Sequence, residues 1–237
     1  MSCLRLFVIL FACLLNAESC TPVKAVSSMY SVNPKIVELS NNKKIVRFIP
    51  MHHIGKVVFY ENVSELVKAY KKEGYIVYYE SSRPDKLNDS LLQDLYERKF
   101  RKMMGLYLDT TGYSHYLEKS PFRNFVDQPK YSVLGVTDDD MRVDVSKNKL
   151  VDVYEKKFGQ INLDTIDYKT PLNAYYPMKL RLPKERVRSI IIDYRNENLA
   201  SYIHYSPDLL IIVLYGAIHV NGTLNELRKL DGGWKKN

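Results

Sequence analysis

The chain has 237 residues, 46% of them hydrophobic and 26% charged, enough for one substantial globular domain and unlike the composition of a disordered chain. The net charge is +8, yet cations alternate with acids, as at Lys71-Lys72-Glu73 and Glu97-Arg98-Lys99. A nucleic-acid binder would concentrate its cations in one stripe, so nucleic acid is not an expected partner.

All three cysteines (Cys3, Cys13 and Cys20) fall near the start, which removes a disulfide framework, a thiol nucleophile and cysteine metal ligands from the domain that follows. The first residues are Met-Ser-Cys-Leu-Arg, followed by an apolar run from Leu6 to Leu15 and by the small residues Ala17 and Ser19 ahead of Cys20. Such a run is too short to span a bilayer and reads as a secretory signal. Residues 1–19 are expected to be a signal peptide of the lipoprotein type, with Glu18 an atypical member of the lipobox. Cys20 would then be lipidated, anchoring an exported protein on the periplasmic or cell-surface side of a membrane; simple secretion is the alternative. Residues 20–42 are polar and without period, as in a tether, and 43–237 form the expected domain.

Within that domain Lys44 to Pro50 reads as a strand. Val63, Leu66, Val67 and Tyr70 give a helical stripe over 57–73, stopped by Gly74, and Tyr75 to Tyr79 is a β-prone run. Strand, helix and strand make a βαβ unit. A helix is expected over 89–104, an irregular stretch over 113–130, short strands at 131–136 and 141–145, and a helix over 147–158. Pro171 and Pro177 mark another irregular stretch. Pro183 opens a helix whose stripe (Val187, Ile190, Ile191, Tyr194) runs toward Ile203. Leu209 to Tyr215 is the strongest buried-strand signal, and a helix from about Thr223 to Leu230 precedes a basic tail. The expected class is α/β: a single domain with a central, mostly parallel sheet flanked by helices and a site at the carboxyl ends of the strands.

Three ionisable residues share that placement. His53 lies just beyond the first strand, Glu80 ends the second, and His219 follows the last. Two imidazoles and a carboxylate suit a catalytic divalent metal with an open position for water, and the same trio without metal suits acid–base catalysis. The His219 side chain is expected in the crevice, adding little to the core. His52, His115 and His204 read as ordinary loop or surface groups, and the 19 tyrosines as packing residues with polar tips. Asp138-Asp139-Asp140 lacks the glycine-containing loop of a calcium site and reads as a solvated turn.

Pro50-Met51-His52-His53-Ile54-Gly55, the helix leading to Tyr78-Tyr79-Glu80, and Gly216-Ala217-Ile218-His219 after a hydrophobic strand resemble the motifs of the TraB/GumN/Tiki family. Tyr194-Arg195-Asn196-Glu197 resembles the family's helical Arg-Asn/Asp segment, and Met141 to Ser146 a mid-domain segment. The first motif departs from the pattern, with Pro50 where the family has glycine. The resemblance covers about Lys44 to Trp234. It implies a fold related to the erythromycin esterase and ChaN-like group, and a metal-dependent hydrolase, a metallopeptidase by analogy with the Tiki members. His53, Glu80 and His219 would be metal ligands (for Mn, Co or Zn) or acid–base groups. Arg195 would complete the catalytic set by stabilising an oxyanion or orienting Glu80. The substrate would be a peptide or small molecule. The alternative from another class is a non-catalytic lipoprotein of the same fold that binds a ligand or haem, a histidine serving as axial ligand.

Overall fold

The computed structural model describes residues 30–105, 124–174, 176 and 182–237. The signal segment 1–19, Cys20, residues 113–123 of the irregular stretch, His115 and Pro177 lie outside the described residues. The chain groups into two compact units. The described residues of Met1–Glu80, Thr111–Val143 and Leu199–Asn237 form the first, and those of Ser81–Thr110 and Asp144–Asn198 the second.

The first unit is built on a six-stranded sheet in the order β6-β4-β7-β2-β1-β8. Its strands are β1 (Val37–Ser40), β2 (Ile45–Met51), β4 (Ile76–Tyr79), β6 (Met141–Arg142), β7 (Leu210–Gly216) and β8 (Lys235–Lys236). β6, β4, β7 and β2 run parallel, while β1 and β8 close one side antiparallel. The α/β class with a mostly parallel sheet flanked by helices is therefore what the fold shows.

β7 explains the architecture. Ile211 to Tyr215 are all fully buried, which an unbroken apolar run permits only when both faces of a strand are covered. Alternate residues serve opposite faces. Ile211, Val213 and Tyr215 join Val46, Phe48 and Tyr78 beneath the later part of α6 (Arg195–Tyr205) and α7 (Val220–Leu230), through Leu199, Ile203, Leu224 and Leu227. Ile212 and Leu214 join Ile49, Met51 and Val77 beneath α1 (Val57–Lys72), through Phe59, Val63 and Val67. α1 ends where Gly74, at φ 90°, lets Tyr75 N–H reach Tyr70 O and Gly74 N–H reach Lys71 O. This paired closure satisfies the last carbonyls and turns the chain into β4.

Four expectations need correction. The end of the supposed tether forms β1, because Leu39 is buried beside Val46. The supposed basic tail forms β8 on β1, anchored by buried Trp234. Tyr131 to Val136 is a run of turns rather than a strand: its N–H groups bond locally, as Leu134 to Tyr131 O, and Gly135 takes φ 90°. The strand expected over 141–145 shrinks to Met141–Arg142. A small ribbon of β3 (Ile54–Gly55) and β5 (Val126–Asp127) completes the first unit.

The second unit is helical: α2 (Ser90–Met104), α3 (Lys147–Phe158), α4 (Thr165–Lys169) and α5 (Lys184–Arg188). α5 continues through a π-helical stretch, Ser189–Tyr194, into the start of α6. Asp89 caps α2 by accepting from the N–H groups of Leu91 and Leu92. Phe100, Leu150, Val151, Tyr154, Ile190 and Ile191 pack its core. Arg101 is wholly enclosed, its guanidinium donating to the carbonyls of Asp167, Thr170 and Pro171. Next to it the enclosed Asp167 carboxylate accepts from Lys102 Nζ at 2.6 Å and from the Tyr176 hydroxyl.

Candidate active site

The register places three parallel strands with their carboxyl ends at one edge. Met51 of β2 lies opposite Gly216 of β7, and Tyr79 of β4 opposite Leu214. Glu80 continues β4, its N–H donating to Leu214 O at 2.9 Å. The Glu80 Oε2 accepts from Gly216 N–H at 2.6 Å, joining the end of β4 to the end of β7. A charged acceptor makes this a short, strong bond and aims the half-buried carboxylate across the strand ends.

His219 arrives by a tight route. Gly216 leaves β7 at φ −53° and ψ 139°, and Ala217–His219 form one 3₁₀ turn that runs straight into α7. The helix thus begins at Val220, three residues earlier than its sequence stripe suggests, because the turn supplies the missing coil. The His219 ring is 2% exposed and stands edge-on to Tyr215, at 4.9 Å and 88°. This corrects the expectation of a side chain left in an open crevice: Tyr215 and the turn enclose it. A methyl placed on Gly216 would meet Glu80 Oε2 at 3.2 Å and His219 Cδ2 at 3.5 Å. Carboxylate and imidazole therefore both pack close to Gly216, at a position too tight to accept a side chain.

His53 stands at the same edge, in the turn between β2 and β3, but exposed. Its backbone is fixed: Gln128 N–H donates to His53 O at 2.9 Å, and the Tyr60 hydroxyl donates to His52 O at 2.8 Å. Burial, with a contribution from Asp127, raises the Tyr60 hydroxyl pKa well above its ordinary value, so it remains a donor. His52 is half-buried against Phe59; burial, and secondarily His53, lowers its pKa. Pro50 sits within β2 opposite Tyr215.

Arg195 is buried in the second unit, where Nε and Nη2 each donate to the enclosed Asp144 carboxylate at 2.9 Å. The fork-to-fork pair fixes the guanidinium plane. Asp140 also departs from the solvated-turn reading. Its enclosed carboxylate accepts from Val77 N–H, Thr137 N–H and Lys71 Nζ, pinning the start of β4, while Asp138 and Asp139 are exposed.

The structure thus brings Glu80 and His219 together around Gly216 and leaves His53 in the neighbouring turn. Among the described residues no group of three or more His, Cys, Asp or Glu side chains is arranged to hold a metal ion. Three contributors were not assigned roles from sequence. Gly216 acts through its N–H, Tyr60 through a hydroxyl one turn into α1, and Asp144 as the partner of Arg195. Gly216 opens the second motif and Asp144 lies inside the weaker mid-domain resemblance, so both carried a visible signal. No family model, curated protein or solved structure matches the chain.

Proposed function

We propose that the chain is a hydrolase exported to the cell envelope, taking a peptide or small-molecule substrate at the carboxyl edge of its sheet. The observation that carries this reading is the Glu80 carboxylate, held at the strand ends by Gly216 N–H at 2.6 Å, with the buried His219 ring packed close to the same glycine. The order of motifs resembling the TraB/GumN/Tiki family supports it independently of that geometry.

The chemistry is acid–base. A carboxylate oriented by a backbone N–H accepts a proton from water as the water oxygen attacks a substrate carbonyl. A histidine of the same edge, His219 or the exposed His53, delivers a proton to the departing nitrogen or oxygen, so water adds across the broken bond. Proton exchange with solvent returns both groups to their starting states. His53, exposed in the adjacent turn, suits substrate contact.

The divalent ion implied by the resemblance would be held by His53, Glu80 and His219, and no step above runs through it. Elemental analysis of the purified protein beside His219→Ala tests both parts. Near-stoichiometric Mn, Co or Zn that falls in the variant would add a metal to the reading. Hydrolysis lost in His219→Ala, with no metal in either sample, would support the acid–base pair alone. Hydrolysis retained by the variant would remove the proposal.

A further inference from the structure

A second feature of the first unit lies around the β3–β5 ribbon and the start of α1. Tyr30, Val32, Ile36, Val57, Val58 and Val126 are each 37–49% exposed, although all are large and apolar. They belong to one neighbourhood. Tyr30 packs edge-on to Phe125 at 5.0 Å and lies under Lys56 Nζ at 5.7 Å. Lys56 precedes Val57 and Val58 in the first turn of α1, and Val126 pairs with Gly55. Asn62 of α1 donates to Val32 O at 2.9 Å, tying the incoming chain to that helix. Ile36 precedes β1, whose first residue lies opposite Phe48 at the middle of β2; β1 is antiparallel, so Ile36 lies on the side toward the carboxyl end of β2. Isolated exposed apolar residues are ordinary, but a connected group of this kind marks an interaction surface.

We propose that this face docks on a phospholipid bilayer carrying anionic headgroups. Tyr30 lies on the face itself. Cys20, the expected anchor, is ten residues upstream, so the connection reaches at most about 36 Å even when fully extended. With Cys20 lipidated, that reach would bound how far the Tyr30 side of the unit can stand from the membrane. The face has the chemistry of an interfacial contact: a tyrosine and aliphatic side chains to enter the headgroup boundary, and Lys35 and Lys56 to meet negative charge. Glu61 lies a full turn further along α1, behind the leading residues Val57 and Val58. Docking would present the carboxyl edge to material at the membrane surface. It holds whether or not that edge is catalytic.

The test uses the full chain in vesicles of phosphatidylethanolamine and phosphatidylglycerol, with or without nitroxide-labelled acyl chains. Trp234 is the only tryptophan and is buried, so an added tryptophan reports its own surroundings. Val57→Trp and Val126→Trp probe the face, and Leu209→Trp probes an exposed site at the opposite end of β7. The expected result is loss of most of the emission added at positions 57 and 126 in nitroxide vesicles, with the emission at 209 unchanged. Unquenched emission at both face positions overturns the proposal, as does equal quenching at 209. Shielding at 57 that follows protein concentration and ignores nitroxide also overturns it, and identifies a second copy of the chain as the occupant. Since the readout is lipid contact alone, its failure leaves the hydrolase reading standing, and loss of that reading leaves this one.

Discussion

Glu80 has two separable tasks, accepting the Gly216 N–H and carrying charge, and substitutions divide them. Glu80→Gln keeps an acceptor at the strand end, so urea denaturation should find it within about 1 kcal/mol of the parent. Glu80→Ala leaves that N–H without its carboxylate and should cost about 1–3 kcal/mol. Equal stability of the two variants would mean that the 2.6 Å bond does not hold in solution. His219→Ala removes a ring that is 2% exposed, so a loss of about 0.5–3 kcal/mol is expected, larger than the sequence alone suggested for a loop histidine. Arg195→Ala strands the enclosed Asp144 carboxylate and should cost about 3–5 kcal/mol, since breaking a buried pair leaves one charge uncompensated. A loss below about 1 kcal/mol there would place the pair in water.

Elements with strong local signals were legible in the sequence. α1 and its Gly74 stop, α3, and β7 follow from stripe, stop signal and unbroken apolar run. β1 and β8 were not, because each is short and acquires its strand character only from pairing with a neighbour distant in sequence. The turns at 131–136 misled for the opposite reason: Tyr, Val and Leu suit a strand, but local hydrogen bonds and Gly135 prevail. Loss of the Leu214 side chain at the centre of β7 should destabilise by about 2–5 kcal/mol as Leu214→Ala.

In the helical unit, Asp167 links α4 to α2. Burial raises its carboxyl pKa, but hydrogen bonds from Lys102, Tyr176 and the Asp164 backbone outweigh it and hold the pKa below the ordinary value. The folded unit then binds fewer protons than the unfolded chain as acid is added. The stability this group gives is present above the ordinary Asp pKa and is lost as pH falls through the folded value. Unfolding followed from about pH 5 downward should steepen in the parent and flatten in Asp167→Asn; identical slopes would contradict the assignment.

At the scale of the whole molecule, the candidate site was legible as a placement and illegible as a geometry. Parallel strands bring their carboxyl ends to one edge, so the positions of His53, Glu80 and His219 after strands already pointed there. Which of them meet depends on the register of β4 on β7 and on a 3₁₀ turn of three residues, and neither has a sequence pattern. Arg195 shows the same limit: its helix was visible, but its bidentate partner Asp144 is 51 residues away. The most direct measurement of the central claim is turnover of a panel of peptides and esters by the parent chain and by Glu80→Gln, with folding of both verified by their thermal midpoints. The account predicts turnover by the parent and a loss of about 10²-fold or more in Glu80→Gln, the scale of a general base removed from an intact site. Equal turnover by the two proteins, or none by the parent, would contradict it.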